Sequence, residues 1–500
     1  MSNSPSTLVA ARAAPRPFPA KLAAIVAALA VVGLAAAPEP LTALAVMAGI
    51  VFAFAALYRP ELGLVALIFL VHTNLAYVME TYHGVADVGR LMITFVGWVV
   101  LVRFLVLRER PALNVAGLAP VAATFLVSGL SLFHATDTVV ALDLLEALAK
   151  DILLLVVLML LLTDVRRFHL VAWTWIGAGI LLGSLVAFQY FTGAFGDLFY
   201  GFGHATVEHI AGKVNSWRLS GPLPDPNYFA QVMLFVVPLA MDRLAHGRRR
   251  PLRLIALWGV VACLLAIMFT FSRGALLSLG LYFALLVWMR RPSPKLVGVM
   301  AVAGLAVVAV MPAEYHDRMS SLVDTLLSLG SGNGSTDPAV AGRLGEMMGA
   351  WYMFADNPLL GVGIGHYPLS FQQVTLDHGL MLRGADRSAH SLYMQTAAEK
   401  GVIGLAVLFW LLATVAGNVI RTWRALRAAG DVGSARLVAA FGLGFLAFMV
   451  ASAFLHDAFS RYFWSIVGIG LALPQIAPVR PSAPVSASAP WHPSSPCRRR

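Results

Sequence analysis

Apolar runs close to the length of a bilayer-spanning helix recur along most of this chain, separated by short polar connections. A helix rises about 1.5 Å per residue, so about 20 apolar residues cross the hydrocarbon layer. Such segments centre near Ala30, Ile50, Phe69, Gly97, Phe125, Leu155, Gly179, Phe235, Cys263, Phe283, Gly304, Phe409, Gly444 and Gly468. Several are short or split, so about 12–14 spans are expected. The pattern predicts an all-α, polytopic integral membrane protein. The even spread of the runs argues for one bundle over a string of soluble domains.

The connections carry an orientation signal. Lys and Arg concentrate in one set: RFLVLRERP (Arg103–Pro111), TDVRRF (Thr163–Phe168), RLAHGRRRPLR (Arg243–Arg253), MRRPSPK (Met289–Lys295) and RTWRALRAAGDVGSAR (Arg421–Arg436). The alternate set is poorer in them: APEP (Ala37–Pro40), ETYHGVADVGR (Glu80–Arg90), HATD (His134–Asp137) and HDAFSR (His456–Arg461). The positive-inside rule places the first set, and with it both termini, in the cytoplasm. The expected layout is a cytoplasmic lead-in over 1–20, spans over 21–311 with an outer connection at 192–226, a large outer loop over 312–389, and spans over 390–478. The tail over 479–500, rich in Ser, Ala and Pro, reads as disordered. The polar, basic N-terminus lacks a small-residue cleavage site and reads as a lead-in, not as a removed signal.

Composition supports the same class. Of 500 residues, 59% are hydrophobic and only 12% charged, against about 25% charged in soluble proteins. The net charge of +11 comes from Arg clusters in short connections, which membrane orientation explains better than nucleic-acid binding. The two cysteines, Cys263 inside an apolar run and Cys497 in the tail, imply neither a disulfide framework nor a metal cage.

The two long outer connections are candidates for function, because long loops are uncommon unless they serve it. The larger one has a Gly/Ser-rich tip, LGSGNGSTDP (Leu329–Pro338), followed by GRLGEMMGAWYMFADNP (Gly342–Pro358). There Met347, Met348, Trp351, Tyr352 and Phe354 recur at helical spacing, which predicts an amphipathic helix at the outer surface. No internal repeat is evident, which speaks against transporter folds built from repeats.

Outer loops of such a protein should be poor in Arg, so those that remain there are informative. They are Arg218 in WRLSGPLPDPNYFA, Arg273 in FTFSRGALLSLG and Arg343 at the start of the amphipathic segment. Fixed guanidinium groups near a membrane suit phosphate or diphosphate, which they bind through paired N–H donors. The competing reading is that each snorkels or pairs with a carboxylate. Arg273 favours function, since it sits between two apolar runs with Gly274 behind it. Asp225 or Asn227 would cap the next helix, with Pro226 as its first residue, and an outward helix N-terminus also favours an anion. GVGIGHYP (Gly361–Pro368) has no βαβ context and reads as a tight turn, with His366 retained as a candidate substrate contact. Glu146 and Lys150 stand four apart as a helical ion pair beside Asp143, although intramembrane charge is also what a transporter would need. None of the outer histidines has zinc-type spacing. His390, beside Ser391 at a helix mouth, is placed to take a proton from a sugar hydroxyl.

Four of these features together resemble the O-antigen ligase and polymerase superfamily of bacterial inner-membrane glycosyltransferases. His390-Ser391, nine residues, then Gly401-x-x-Gly404 fits that family's H-[NSQ]-x9-G-x-x-G pattern. SRG at Ser272–Gly274, the large outer loop with Arg343 and NPLLGVGIG, and the RLSG…DPNYFA stretch follow the family's order. The resemblance is good from about Arg218 to Gly404. After Gly404 the chain reads LAV, without the polar or Met-containing continuation of some ligases, which leaves ligase and polymerase both open.

The resemblance implies a glycan donor on undecaprenyl diphosphate at the periplasmic face of the inner membrane. The acceptor would be a hydroxyl on a lipid A core, on another glycan or on a protein. It implies no metal, no nucleotide and no other cofactor. His390, Arg273 and Arg343 would be catalytic, with Arg218, Asp225, Asn227, His366 and Ser391 binding substrate. Two and a half helical turns separate Glu399 from His390, so Glu399 with Lys400 reads as a packing pair. The stretch from Ala389 to about Lys400 reads as the outer mouth of a helix that reaches lipid depth at Gly401. The alternatives are a lipid-linked-glycan flippase or transporter, which should concentrate polar groups at mid-membrane, and an assembly subunit, which leaves the outer Arg and His residues unexplained.

Overall fold

A computed structural model describes residues 55–290, 338–380, 387–456 and 460–477, apart from Ala86, residues 110–112 and 211–212, and a few isolated positions besides. The expected segments around Ala30 and Gly304, most of that around Ile50, residues 329–337 of the loop tip and both chain ends lie outside the described residues.

Helices account for nearly all of the described fold. In chain order they are α1 (Pro60–His72), α2 (Leu75–His83), α3 (Val88–Leu105), α4 (Val115–Leu130), α5 (Thr138–Leu161) and α6 (Val165–Thr192). After a β-hairpin come α7 (Pro226–His246), α8 (Arg250–Phe269), α9 (Arg273–Arg290), α10 (Pro338–Asp356), α11 (Tyr367–Asp377), α12 (Leu392–Ala428), α13 (Val432–Ala451) and α14 (Ser460–Ala472). The chain is thus an all-α polytopic membrane protein. Among the described residues, seven helices are long and apolar enough to cross a membrane, or eight if α1 and α2, bent by 61° at Thr73–Asn74, form one broken span. α5 has the length, with 24 residues, but it carries Asp143, Glu146, Lys150 and Asp151, more charge than the seven hold in their apolar stretches.

Helix starts follow local chemistry. Asp137 accepts from Val139 and Val140 N–H to open α5, and Asp164 caps α6 through Arg167 N–H. Asp225 accepts from Asn227 N–H ahead of Pro226 at the first position of α7. Each satisfies amide donors that the first helical turn leaves unpaired. The largely aliphatic core holds an aromatic cluster. Trp175 of α6 meets Phe235 of α7 edge-on at 4.8 Å and stacks on Phe441 of α13 at 5.9 Å.

The connection over 192–226 is more structured than a loop. β1 (His204–Ile210) and β2 (Lys213–Gly221) pair antiparallel, with Thr206 opposite Arg218 and Val207 opposite Trp217. Trp217 stacks on Phe195 at 5.4 Å, which pins the hairpin to the end of α6. The amphipathic segment is helical as expected, in α10. Its inner face carries Glu346, Gly349, Ala350 and Met353, while Leu344, Met348 and Trp351 stand exposed. Glu146 and Lys150 form the expected ion pair at 2.7 Å, with both side chains half exposed or more.

Candidate active site

The site assembles where the start of α12 meets the inner face of α10, with Asp225 at the start of α7 close enough to act on His390. His390 precedes α12 with a positive φ of 45°, a turn that few side chains adopt. Ser391 then caps the helix, its hydroxyl accepting from Met394 N–H at 3.4 Å, and Leu392 N–H donates to Ser452 O of the neighbouring segment at 2.9 Å. The His-Ser pair therefore divides its tasks. The serine starts the helix, and the histidine is turned out of helical register into the space above it.

What surrounds His390 is strongly charged. Its Nε2 stands 3.6 Å from a carboxylate oxygen of Glu346, whose other oxygen is 3.6 Å from Arg387 Nη1. The His456 ring meets His390 edge-on at 5.5 Å, and His456 Nδ1 shares a hydrogen bond with Ser388 Oγ at 3.1 Å. Burial pushes the His390 imidazole down to about 4; Arg343, His456 and Arg387 add to the shift and Asp225 opposes it. Burial also lowers His456, again against the pull of Asp225. Both rings are therefore neutral near pH 7, and each keeps a lone pair for a proton.

Arg218 is tied to the turn that carries Arg273. Arg218, only 5% exposed, donates from Nε to Thr270 O at 2.8 Å and from Nη2 to Asn227 Oδ1 at 2.7 Å. Asn227 in turn donates to Asp225 Oδ1. β2 is thereby tied both to the cap of α7 and to the turn that carries Arg273. That turn bends through Phe271 with φ of 52°, and Ser272 Oγ accepts from Ala275 N–H to open α9. A Cβ at Gly274 would stand 3.2 Å from Phe454 Cβ, so the glycine lets α9 begin against the segment that holds His456.

The loop between α10 and α11 explains the glycine motif. At Gly401 (φ 64°, ψ −164°) α12 breaks, and the freed backbone groups pair with that loop. Val362 and Gly363 N–H donate to Ala398 and Glu399 O, and Val402 N–H donates to Pro358 O. The Glu399 carboxylate accepts from Gln395 Nε2 and from the amides of Gly365 and Tyr367. Lys400 instead folds across Gly404, where a Cβ would lie 2.2 Å from its own. Glu399 therefore holds the loop and does not face His390. The break at Gly401 falls where the outer mouth of the helix was expected to end.

The structure gathers Arg343, Asp225 and His390 into one electrostatic neighbourhood, with Asn227 and Arg218 behind Asp225. Ser391 caps. His366 is fully buried elsewhere: its Nε2 accepts from Asp137 N–H at 2.8 Å and its Nδ1–H donates to Ile364 O at 2.9 Å. Both of its nitrogens are spent joining the glycine turn to α5. Sequence reasoning passed over Glu346, Arg387 and His456. Glu346 lay in a segment read for its apolar stripe, and His456 was one of many outer-loop histidines. The available signal was a carboxylate three residues after Arg343, one helical turn on. Among the described residues, no group of three or more His, Cys, Asp or Glu side chains is placed to hold a metal ion.

Residues 258–409 match the family model described as O-antigen ligase. The match runs from α8 into α12 and includes Arg273, Arg343 and His390, while Arg218, Asp225, Asn227 and His456 fall outside it. No curated protein matches the chain.

Proposed function

Since its residues 258–409 place this chain in the O-antigen ligase and polymerase family, we propose that it transfers a glycan from undecaprenyl diphosphate to a hydroxyl acceptor at the periplasmic face of the bacterial inner membrane. The observation that carries this reading is the partly buried, neutral His390 set among Arg343, Arg387 and Asp225. A neutral imidazole takes the proton of the acceptor hydroxyl as its oxygen attacks the anomeric carbon. The bond from that carbon to the diphosphate oxygen breaks, and the electron pair leaves with undecaprenyl diphosphate. Arg343 and Arg273 stabilise the charge that grows on the leaving group, and a water-poor site strengthens that effect. The acceptor is a lipid A core sugar, another lipid-linked glycan or a protein hydroxyl. Both termini lie in the cytoplasm.

The arrangement disfavours transport as the alternative. The Glu146–Lys150 pair is exposed and self-satisfied on α5, whereas Glu346, Arg387 and His390 face one another at the mouth of α12. Deletion of the encoding gene followed by surface-glycan analysis tests the reading. Bare lipid A core with lipid-linked polymer accumulating identifies a ligase, and single attached repeats identify a polymerase. Normal surface glycan excludes both.

A further inference from the structure

Glu346 is the most enclosed carboxylate near the site, with 1% of its surface exposed. It lies one helical turn after Arg343 on α10, with one oxygen toward His390 Nε2 and the other toward Arg387 Nη1, each at 3.6 Å. Tyr367 Oη donates to its backbone carbonyl, which ties this turn of α10 to α11. A buried carboxylate costs desolvation unless positive partners repay it. Here a permanent cation, Arg387, and a switchable imidazole, His390, share it.

We propose that Glu346 is a positioning residue for His390, holding the ring by its Nε2 edge and stabilising the imidazolium that forms when the acceptor proton arrives. The inference rests on the transferase reading above. It goes further by giving the base a dedicated counter-charge, as a base oriented by a third group requires. In the resting state Arg387 neutralises the carboxylate, so the ring stays uncharged. Once His390 is protonated, the new charge lies beside Glu346 and is compensated in place. The groups facing His390 are Glu346 and Arg343 from α10, Asp225 from the start of α7, His456 from the segment after α13, and Arg387 from its own segment. Among the described residues, Glu346 lies at ion-pair distance both from the ring and from Arg387.

Two variants separate this role from simple support of the fold. Glu346→Gln keeps the shape and removes the negative charge, so His390 holds its proton less well. Arg387→Gln removes the positive charge and leaves Glu346 to act on His390 alone, so the proton is held better. The acidic limb of the kcat/KM profile for glycan transfer should move to lower pH in Glu346→Gln and to higher pH in Arg387→Gln. The kcat of Glu346→Gln should fall about 10- to 100-fold, as it does when the partner orienting a functional histidine is removed. The donor KM should change less than the kcat.

The same opposite displacements should appear in the His390 imidazole titration followed by NMR of histidine-labelled, detergent-solubilised protein. That measurement needs no turnover. If wild type transfers no glycan yet the titrations diverge as stated, the transferase reading fails and the pairing stands. Shifts in one direction for both variants, or a wild-type kcat in Glu346→Gln, would overturn the proposal. Should Glu346→Gln lose its cooperative melt, Glu346→Asp serves instead. The shorter carboxylate keeps the charge, so an unmoved limb with lowered kcat supports positioning, and unchanged kcat refutes it.

Discussion

A Cβ placed on Gly401 would stand 2.2 Å from the carbonyl carbon of Leu359. The two backbones touch because α12 breaks at Gly401 and the loop after α10 fills the break with main-chain hydrogen bonds. The site helix and the helix that carries Arg343 and Glu346 are thus joined through backbone. No side-chain substitution elsewhere reproduces that contact.

Gly401→Ala should therefore be costly. The φ/ψ pair at Gly401 is essentially confined to glycine, and forcing another residue into it costs about 1–3 kcal/mol before any clash is counted. The clash with Leu359 adds to that. The expected outcome is a lowered melting temperature, faster protease nicking between residues 358 and 365, and transfer reduced at least in proportion. A variant that melts and transfers like wild type would show that the break is dispensable.

His390→Ala should abolish transfer while the folded, membrane-inserted protein remains. The pH dependence is more discriminating. The imidazole acts as a base only when neutral, so activity is lost as pH falls through its pKa. In the free protein that value is held down to about 4 by burial and by Arg343 and His456, so the acidic limb of kcat/KM should lie near there. A bound diphosphate offsets the arginine charges, which raises the imidazole pKa. The limb of kcat, which reports the complex, should then fall at higher pH. Coincident limbs would mean that donor charge does not act on His390.

The fold was legible in the sequence in large part and the arrangement of the candidate site in smaller part, for reasons that differ residue by residue. The helices around Phe69, Phe125, Phe235 and Gly444 follow from apolar run length, which hydrocarbon enforces directly. Asp225 with Pro226, and Ser391, announced their helix starts through capping chemistry. Arg273 and Arg343 stood out because outer connections are poor in Arg, and His390 because it opens a helix mouth beside Ser391. The β-hairpin was hidden, since a template tuned to spanning helices is blind to two short strands in HATVEHI and KVNSWRLSG. Glu346 and His456 were hidden for another reason. Their meaning lies in what tertiary structure brings beside them, and no local spacing links either to His390. His366 misled in the opposite direction, because a buried structural histidine and a loop histidine in a functional turn look alike in sequence.

Arg218 should tolerate no substitution, including lysine. Its guanidinium spans Thr270 O and Asn227 Oδ1 from a fixed planar fork, and an ammonium cannot reproduce that geometry. Losing a buried, charge-assisted hydrogen bond costs about 1.5–3 kcal/mol. Arg218→Lys and Arg218→Ala should lower the melting temperature to a similar extent. Both should also reduce kcat, because the Thr270 turn they release positions Arg273. Thermal melting of purified protein checks the first expectation and transfer assays the second. Wild-type kcat with a lowered melt would confine Arg218 to stability.

The orientation of the site is open to a direct chemical test. Gln373 lies exposed on α11, within the loop assigned to the periplasm, and Arg249 lies exposed in the basic connection before α8, assigned to the cytoplasm. Cys263 is buried, so replacing Cys497 by serine leaves a background without a reactive thiol. In that background Gln373→Cys should react in intact cells with a thiol reagent that passes the outer but not the inner membrane. Arg249→Cys should react only after the inner membrane is opened. Both sites are surface positions, where substitutions usually change stability by less than about 0.5 kcal/mol, so altered labelling would report topology and not misfolding. The reverse pattern would put His390 on the cytoplasmic side. There a lipid-linked donor presented at the outer face could not reach it, and the proposed reaction would fall with the topology.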